Sequence, residues 1–274
     1  MQVTYGCSNA TCDFCGSYLD KPFAVRPFGE VVDDVIGLPA SARQRVRRVF
    51  LADGDALALS PGKLHDILDL LHRALPNLER VASYANARNL LAKSVPELAG
   101  LREAGLRLLY LGLESGDDQT LAEVHKGMTA GEQIEGCRKA SDAGIELSVT
   151  AILGLAGTTR SQIHGRATGE ALSAIDPEYV GILTLMLTPG TEMERKVACG
   201  ELVLPDSIGM LRELREIVAH LEVSDCLFRS NHASNYLPMG GRLPQDRAKM
   251  LDALDKVLQA PAAAKLRPES WRLL

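Results

Sequence analysis

Short β-branched or apolar runs alternate with longer amphipathic ones along almost the whole chain, and this alternation constrains the fold more than any other feature. Strands are predicted at 2–6, 46–52, 80–85, 106–113, 145–154 and 179–187, and a seventh apolar segment lies at 225–230. Helical patterns fill the intervals at 28–37, 61–75, 87–104, 117–143 with a break at Gly127, 159–174 and 206–222. Ser60 before Pro61, and the run Pro205, Asp206, Ser207, supply caps at two helix starts. Parallel βα units need right-handed crossovers, so they close into a barrel or wind an open sheet. Six units are too few for a full eight-unit barrel. The expectation is one α/β structural unit, with a core at 1–190 and a helical C-terminal extension at 191–274 that packs on it.

A chain of 274 residues with 46% hydrophobic and 24% charged residues can bury a substantial core. Its net charge of -5 gives no general attraction to nucleic acid or anionic membrane. No apolar run approaches the ~18 residues that a membrane span requires. The N-terminus lacks the basic, apolar and small-residue succession of a signal peptide, so a cytoplasmic, reducing location is expected. In that setting clustered cysteines serve metals or catalysis more often than disulfides.

Three of the six cysteines, Cys7, Cys12 and Cys15, fall within nine residues in "GCSNATCDFC", directly after the first strand. Ligands in parallel α/β folds gather beyond the carboxyl ends of the strands, where "DGDA", "SYANAR", "LESGDD", "GLAG" and "TPGT" also lie. Three thiolates suit a catalytic zinc with water in the fourth place, or an iron-sulfur cluster with one iron left open. The spacing alone leaves both standing. Cys137, Cys199 and Cys226 sit in apolar surroundings and read as buried free thiols.

The motifs "TYGCSNATCDFC", "FLADGDAL", "LLYLGLESGDD", "HKGMT" and "FRSNHASNYLP" together resemble the radical S-adenosylmethionine superfamily. Within it the chain is similar to the branch with elongator-type, methylthiotransferase and coproporphyrinogen-oxidase-like enzymes, in a subgroup without an assigned reaction. The cysteines form Cys-x4-Cys-x2-Cys, one residue wider than the commonest family spacing, and Phe14 before the last cysteine is typical. This resemblance implies a partial (βα)6 TIM-like barrel with a 4Fe-4S cluster. Cys7, Cys12 and Cys15 would ligate three irons, and the amino and carboxylate groups of S-adenosylmethionine would chelate the fourth. One electron, from an external donor such as flavodoxin or ferredoxin, would then cleave the sulfonium to a 5′-deoxyadenosyl radical that abstracts hydrogen from a small substrate.

On this resemblance Gly54 and Asp55 match the glycine-acid segment that receives the methionine ammonium, although a plain Asp-Gly turn explains them equally simply. Glu114 matches a position that holds ribose hydroxyls, and a carboxylate suits a diol; helix capping by Glu114, Asp117 and Asp118 is the plainer alternative. Lys126 stands where relatives carry an arginine for the cosubstrate carboxylate, and lysine supplies charge without the fork. Gly154 would let backbone approach adenine, or simply make a turn. Ser83 is a further polar candidate after the third strand.

The segment 225–240 crowds Arg229, Asn231, His232, Asn235 and Tyr236 together. His232 and Arg229 are the expected catalytic groups, with Asn231, Asn235 and Tyr236 facing substrate, since an imidazole titrates near neutrality. The competing account is an ordered loop whose side chains satisfy buried backbone. Two other functions compete with radical chemistry: a zinc-binding hydrolase or binding module built on the three cysteines, and a family member that keeps a cluster without catalysing.

Overall fold

The computed structural model describes residues 1–273. In chain order the elements are β1 (Thr4–Tyr5), β2 (Ala24–Val25), α1 (Phe28–Ile36), α2 (Ala40–Arg43), β3 (Arg48–Leu51), α3 (Pro61–Ala74), β4 (Arg80–Ala85), α4 (Ala87–Leu91), α5 (Val95–Glu103) and β5 (Leu106–Glu114). There follow α6 (Asp118–Glu123), α7 (Ala130–Asp142), β6 (Glu146–Leu153), α8 (Gly157–Ile175), β7 (Tyr179–Thr184), α9 (Glu192–Ala198), α10 (Ser207–Ala219), β8 (Cys226–Ser230), β9 (Met239–Leu243) and α11 (Arg247–Gln259). Strands β3, β4 and β5 are hydrogen-bonded in chain order, as are β6, β7 and β8, the strand sequence that successive βα units produce. The fold is α/β with a mostly parallel sheet.

The chain divides into two compact units. The first comprises Met1–Ala10, Ser17–Leu111 and Glu135–Leu147; the second comprises Thr11–Gly16, Gly112–Ile134 and the chain from Ser148 onward.

In the first unit β4 runs parallel to β3 and to β5, with Phe50 opposite Ala82 and Tyr84 opposite Tyr110. That register brings the rings of Phe50, Tyr84 and Tyr110 together, with Phe50 and Tyr84 centroids 4.8 Å apart. Helix α3 starts as its sequence directs, with the Ser60 side chain accepting from the Lys63 N–H and Pro61 in the first turn. It buries Leu64, Ile67, Leu68, Leu70 and Leu71, the first, second, third and last of which stand at i, i+3, i+4 and i+7 on one helical face. The pattern predicted at 87–104 is two helices. Ser94 and Glu97 form a reciprocal capping box that starts α5 afresh, and Pro96 follows at the helix start.

In the second unit β7 runs parallel to β6 and β8, and β9 returns antiparallel to β8. Val180, Ile182 and Thr184 of β7 are buried, while Tyr179, Gly181 and Leu183 are half-buried on its other face. The helix predicted across 117–143 breaks as expected, because His125 and Gly127 both take left-handed backbone. The apolar segment expected at 225–230 forms β8, and the C-terminal extension, otherwise expected to be helical, adds β9 beside it. The first predicted strand shrinks to β1, which pairs with the unforeseen β2 rather than joining the main sheet as a full strand. Cys137 and Cys226 are buried as expected, and burial pushes both thiols up to about 12. Cys199 is exposed instead, at the C-cap directly after α9.

Candidate functional site

The cysteine-bearing segment is shared between the two units. Cys7 lies in the first, and Cys12 and Cys15 in the second; all three are half-buried and none is in a disulfide. Among the described residues no three His, Cys, Asp or Glu side chains are gathered as a ready-made ion site.

Around Cys7 the first unit builds a polar corner. The Asn9 N–H points at the Cys7 Sγ from 3.4 Å, the kind of donor that stabilises sulfur carrying negative charge. Asp53 accepts from the Gly6 N–H at 3.3 Å and from the Tyr18 hydroxyl at 3.2 Å, and it pairs with Lys21. Burial would raise its carboxyl, but Lys21, Gly6 and Tyr18 outweigh that and hold it below its ordinary value. The Tyr18 ring lies over Gly54, whose N–H donates to Gly6 O at 3.1 Å.

Asp55 is fully buried. Its Oδ2 accepts from Ser8 Oγ and from Asn89 Nδ2 at 2.6 Å, whereas its Oδ1 has no partner among the described residues. Burial raises this carboxyl above its ordinary value, against the lowering pull of Ser8, Asn89 and Lys93. Lys93 beside it is spent on backbone, donating to Leu57 O at 2.6 Å. A buried carboxylate oxygen left without a donor costs about 1–3 kcal/mol, so its retention calls for a donor supplied from outside the chain. Ser83 is also buried, but its hydroxyl is taken by Tyr84 O at 2.9 Å and Leu51 O at 3.3 Å.

In the second unit Asp13, between Cys12 and Cys15, anchors that half of the loop. Its carboxylate meets His125 Nδ1 at 2.7 Å and Lys196 Nζ at 2.6 Å, its N–H donates to Val124 O, and its carbonyl accepts from Met193. Phe14 packs on the cluster of Val124, Leu155, Leu185 and Met193. Neither Asp13 nor Lys196 is marked as a site residue by the sequence alone. The acid between two cysteines was the available signal, but its partner 183 residues away was not legible.

Glu114 ends β5 in left-handed backbone, φ 64°, and its carboxylate folds back over Gly112 to meet Lys126 Nζ at 3.1 Å. A Cβ at position 112 would stand 1.9 Å from the Glu114 Oε1, so a side chain there would oblige the Glu114 carboxylate to move. Glu114 and Lys126, assigned separately from sequence, therefore form one nearly buried ion pair. Helix capping falls to Asp117, which accepts from the Thr120 N–H and is gripped by both arms of the Arg160 guanidinium at 2.8 and 3.0 Å. Burial would raise the Asp117 carboxyl, and Arg160 with Thr120 more than reverses it.

Gly154 follows β6 with φ 89°, and its N–H donates to the buried Glu213 carboxylate at 2.7 Å. After β8, Asn235 is buried with its amide spent inside the chain: it donates to Ile182 O at 2.8 Å and Ser230 Oγ at 3.2 Å, and accepts from Thr184 Oγ1 at 2.8 Å. Tyr236 donates its hydroxyl to Glu269 at 2.5 Å and carries the Arg272 guanidinium over its ring at 4.3 Å. Those two follow the ordered-loop account. Arg229, Asn231 and His232 are exposed. His232 Nδ1 accepts from the Ser234 N–H at 3.1 Å and is 2.9 Å from Ser234 Oγ, which in turn accepts from the Thr184 N–H, so the remaining ring nitrogen carries the proton of the neutral imidazole.

Several known proteins are similar to this chain in sequence or fold. The heme chaperone HemW of Bacillus subtilis is 24% identical over 196 residues, which cover 71% of this chain and 51% of that protein; the chain thus spans about half the length of this relative. Among solved structures, the radical SAM enzyme coproporphyrinogen III oxidase HemN of Escherichia coli superposes with a TM-score of 0.60 at 15% identity over 80% of this chain and 50% of that one. Methylornithine synthase PylB gives 0.57 at 15% identity over 98% of this chain and 73% of that one. The sequence profile of the radical SAM superfamily matches residues 1–166, well over half of the chain. The chain belongs to the radical S-adenosylmethionine superfamily, whose members work with a 4Fe-4S cluster and S-adenosylmethionine.

Proposed function

We propose that this protein binds one 4Fe-4S cluster through Cys7, Cys12 and Cys15, and uses S-adenosylmethionine to abstract hydrogen from a small substrate. The observation that carries this reading is the buried Asp55 Oδ1 in the first unit, unpartnered among the described residues and within the residues 1–166 that match the family. An ammonium group is the donor that such an oxygen lacks, and the methionine end of the cosubstrate provides one. The donor set also fits: three cysteines outside any disulfide, one with a backbone N–H aimed at its sulfur, and no histidine among them.

When bound, the cluster and its cosubstrate supply reductive cleavage of a sulfonium and, from it, a hydrogen-abstracting radical. The chain's own residues bind and orient. Asp55 takes the amino group, while Ser8 and Asn89 hold its other oxygen and so fix the plane of the carboxylate. Lys126 offers positive charge to the cosubstrate carboxylate, and Glu114 offers acceptors to the ribose diol; their mutual contact keeps both charges neutralised until the ligand arrives. Phe14 excludes water behind Cys15 by packing on the Val124 and Met193 cluster. His232, exposed and held by one ring nitrogen, stands ready to exchange a proton with substrate at the other. Arg229 and Asn231 are the exposed groups beside it. The reductant is an external one-electron donor.

The test is anaerobic reconstitution with iron and sulfide, reduction, addition of S-adenosylmethionine and measurement of 5′-deoxyadenosine, with C12A as control. Product that depends on Cys12 is expected; a single bound zinc and no iron would overturn the reading. A second reading, transfer of heme with a cluster that is not turned over, is carried by the 24% identity to a heme chaperone. It predicts a new Soret band on titration with hemin and no 5′-deoxyadenosine.

A further inference from the structure

The second unit contains a buried polar relay that the site described above does not use. Glu213 on α10 has a side chain with no exposed surface, and among the described residues it makes no ion pair with a lysine or arginine. Gly165 on α8 is what lets α10 come this close, because a Cβ there would stand 2.9 Å from Glu213 O. The carboxylate accepts from the Gly154 N–H at 2.7 Å and from the Ser161 hydroxyl, and its Oε1 lies 3.3 Å from His164 Nε2. His164, equally buried, also reaches Ile152 O with Nε2 at 3.2 Å, and its Nδ1 is 2.7 Å from Ser115 Oγ. His164 Nε2 faces two acceptors, Ile152 O and the Glu213 carboxylate, and so carries a ring proton; Nδ1 is then the acceptor for the hydroxyl hydrogen of Ser115, whose Oγ accepts from the Asp117 N–H at 3.0 Å.

Every member thus has its donors and acceptors matched along one line, from Asp117 through Ser115 and His164 to Glu213 and Gly154. A buried carboxylate with several aligned donors is a rigid fixture, because each unmade bond would cost the desolvation of its group. The two ends of the relay are informative. Ser115 follows Glu114, and Gly154 is itself the residue assigned to the adenine, so the relay joins the end of β5 to the end of β6 from behind.

We infer that Glu213, acting through His164 and Ser115, is a positioning residue that sets Glu114 and Gly154 for the adenosine half of S-adenosylmethionine, an inference that rests on the function proposed above. Glu213 touches neither substrate nor cosubstrate; it fixes the backbone that does. E213Q keeps an acceptor for the Gly154 N–H and lets the Ser161 hydroxyl turn to accept from the new amide, so it should preserve the relay. E213L keeps the volume and strips every acceptor.

The experiment measures equilibrium binding of S-adenosylmethionine and of methionine alone to the reconstituted, unreduced protein, together with amide hydrogen exchange on the protein as purified. In E213L, binding of S-adenosylmethionine should weaken about tenfold, the worth of one lost charge-assisted bond, while methionine binds as in wild type. Exchange should quicken at 153–156 and 114–116, and E213Q should restore both readouts. Unchanged S-adenosylmethionine binding in E213L would overturn the inference alone. So would equal weakening of both ligands, the mark of general destabilisation. Failure of the loaded wild type to bind S-adenosylmethionine at all would overturn the proposed function and this inference with it, whereas unchanged exchange in E213L overturns only the relay.

Discussion

The ammonium of Lys126 lies 3.1 Å from the Glu114 carboxylate, both side chains about seven-eighths buried, so two residues that the sequence separates by a helix act as one electrostatic unit. Removing one partner of such a pair costs more than removing both, because the remaining charge stays desolvated. K126M is expected to lower unfolding stability by about 3 kcal/mol, and the double variant K126M/E114Q to regain more than half of that. Urea denaturation of the four proteins of the cycle checks it; a loss in the double variant equal to the sum of the two single losses would show that the pair is not coupled.

Asp55 gives a prediction with a definite sign in pH. Burial raises its carboxyl in the folded state, so the folded protein holds that proton more tightly than the unfolded chain. Stability attached to this group is therefore full below the ordinary carboxylate range, near pH 4, and is lost as pH rises through the raised value. D55N removes that loss: its denaturation midpoint should exceed that of wild type at pH 7, and the gap should close below about pH 4. The same variant should bind S-adenosylmethionine about tenfold more weakly, since the amide carries no charge for the ammonium. A variant less stable than wild type at pH 7 would contradict this account of the orphan oxygen.

Asp13 ties the segment bearing Cys12 and Cys15 to His125 and Lys196. Two bonds to charged or chargeable partners at a nearly buried carboxylate are worth roughly 1.5–3 kcal/mol each where burial is maintained. D13A should leave the chain folded yet lose most of its iron to a chelator within the time that wild type retains it. Iron assays and the near-ultraviolet absorbance of the cluster report the outcome. Retention equal to wild type would mean that the loop is held by Phe14 packing alone.

Asn235 and His232 should separate cleanly. With its amide wholly committed to Ile182, Ser230 and Thr184, N235A is expected to cost about 2 kcal/mol of stability. His232 is exposed, so H232A should stay within about 0.5 kcal/mol of wild type by thermal melting. If His232 exchanges protons with substrate, its loss appears in substrate turnover while uncoupled 5′-deoxyadenosine formation persists. A stability loss in H232A as large as that in N235A would remove the distinction.

The legibility of this protein divides along physical lines. Strand β4 and the breaks around Gly127 could be read from the chain because periodicity and left-handed backbone are local properties. The helix start at Ser60 was equally local. Strands β2 and β9 were missed because each is a short, half-exposed pairing whose only warrant is the strand beside it. The same boundary runs through the site. The spacing of Cys7, Cys12 and Cys15, with Phe14, Asp55 and Glu114, was written in consecutive residues and carried the family. That Asn235 is structural, that Glu114 answers Lys126, that Asp13 is held by Lys196, and that Glu213 reaches Gly154 were decided only by folding. Those partners stand 12 to 183 residues apart, and a hydrogen bond depends on separation in space, which the order of the chain does not contain.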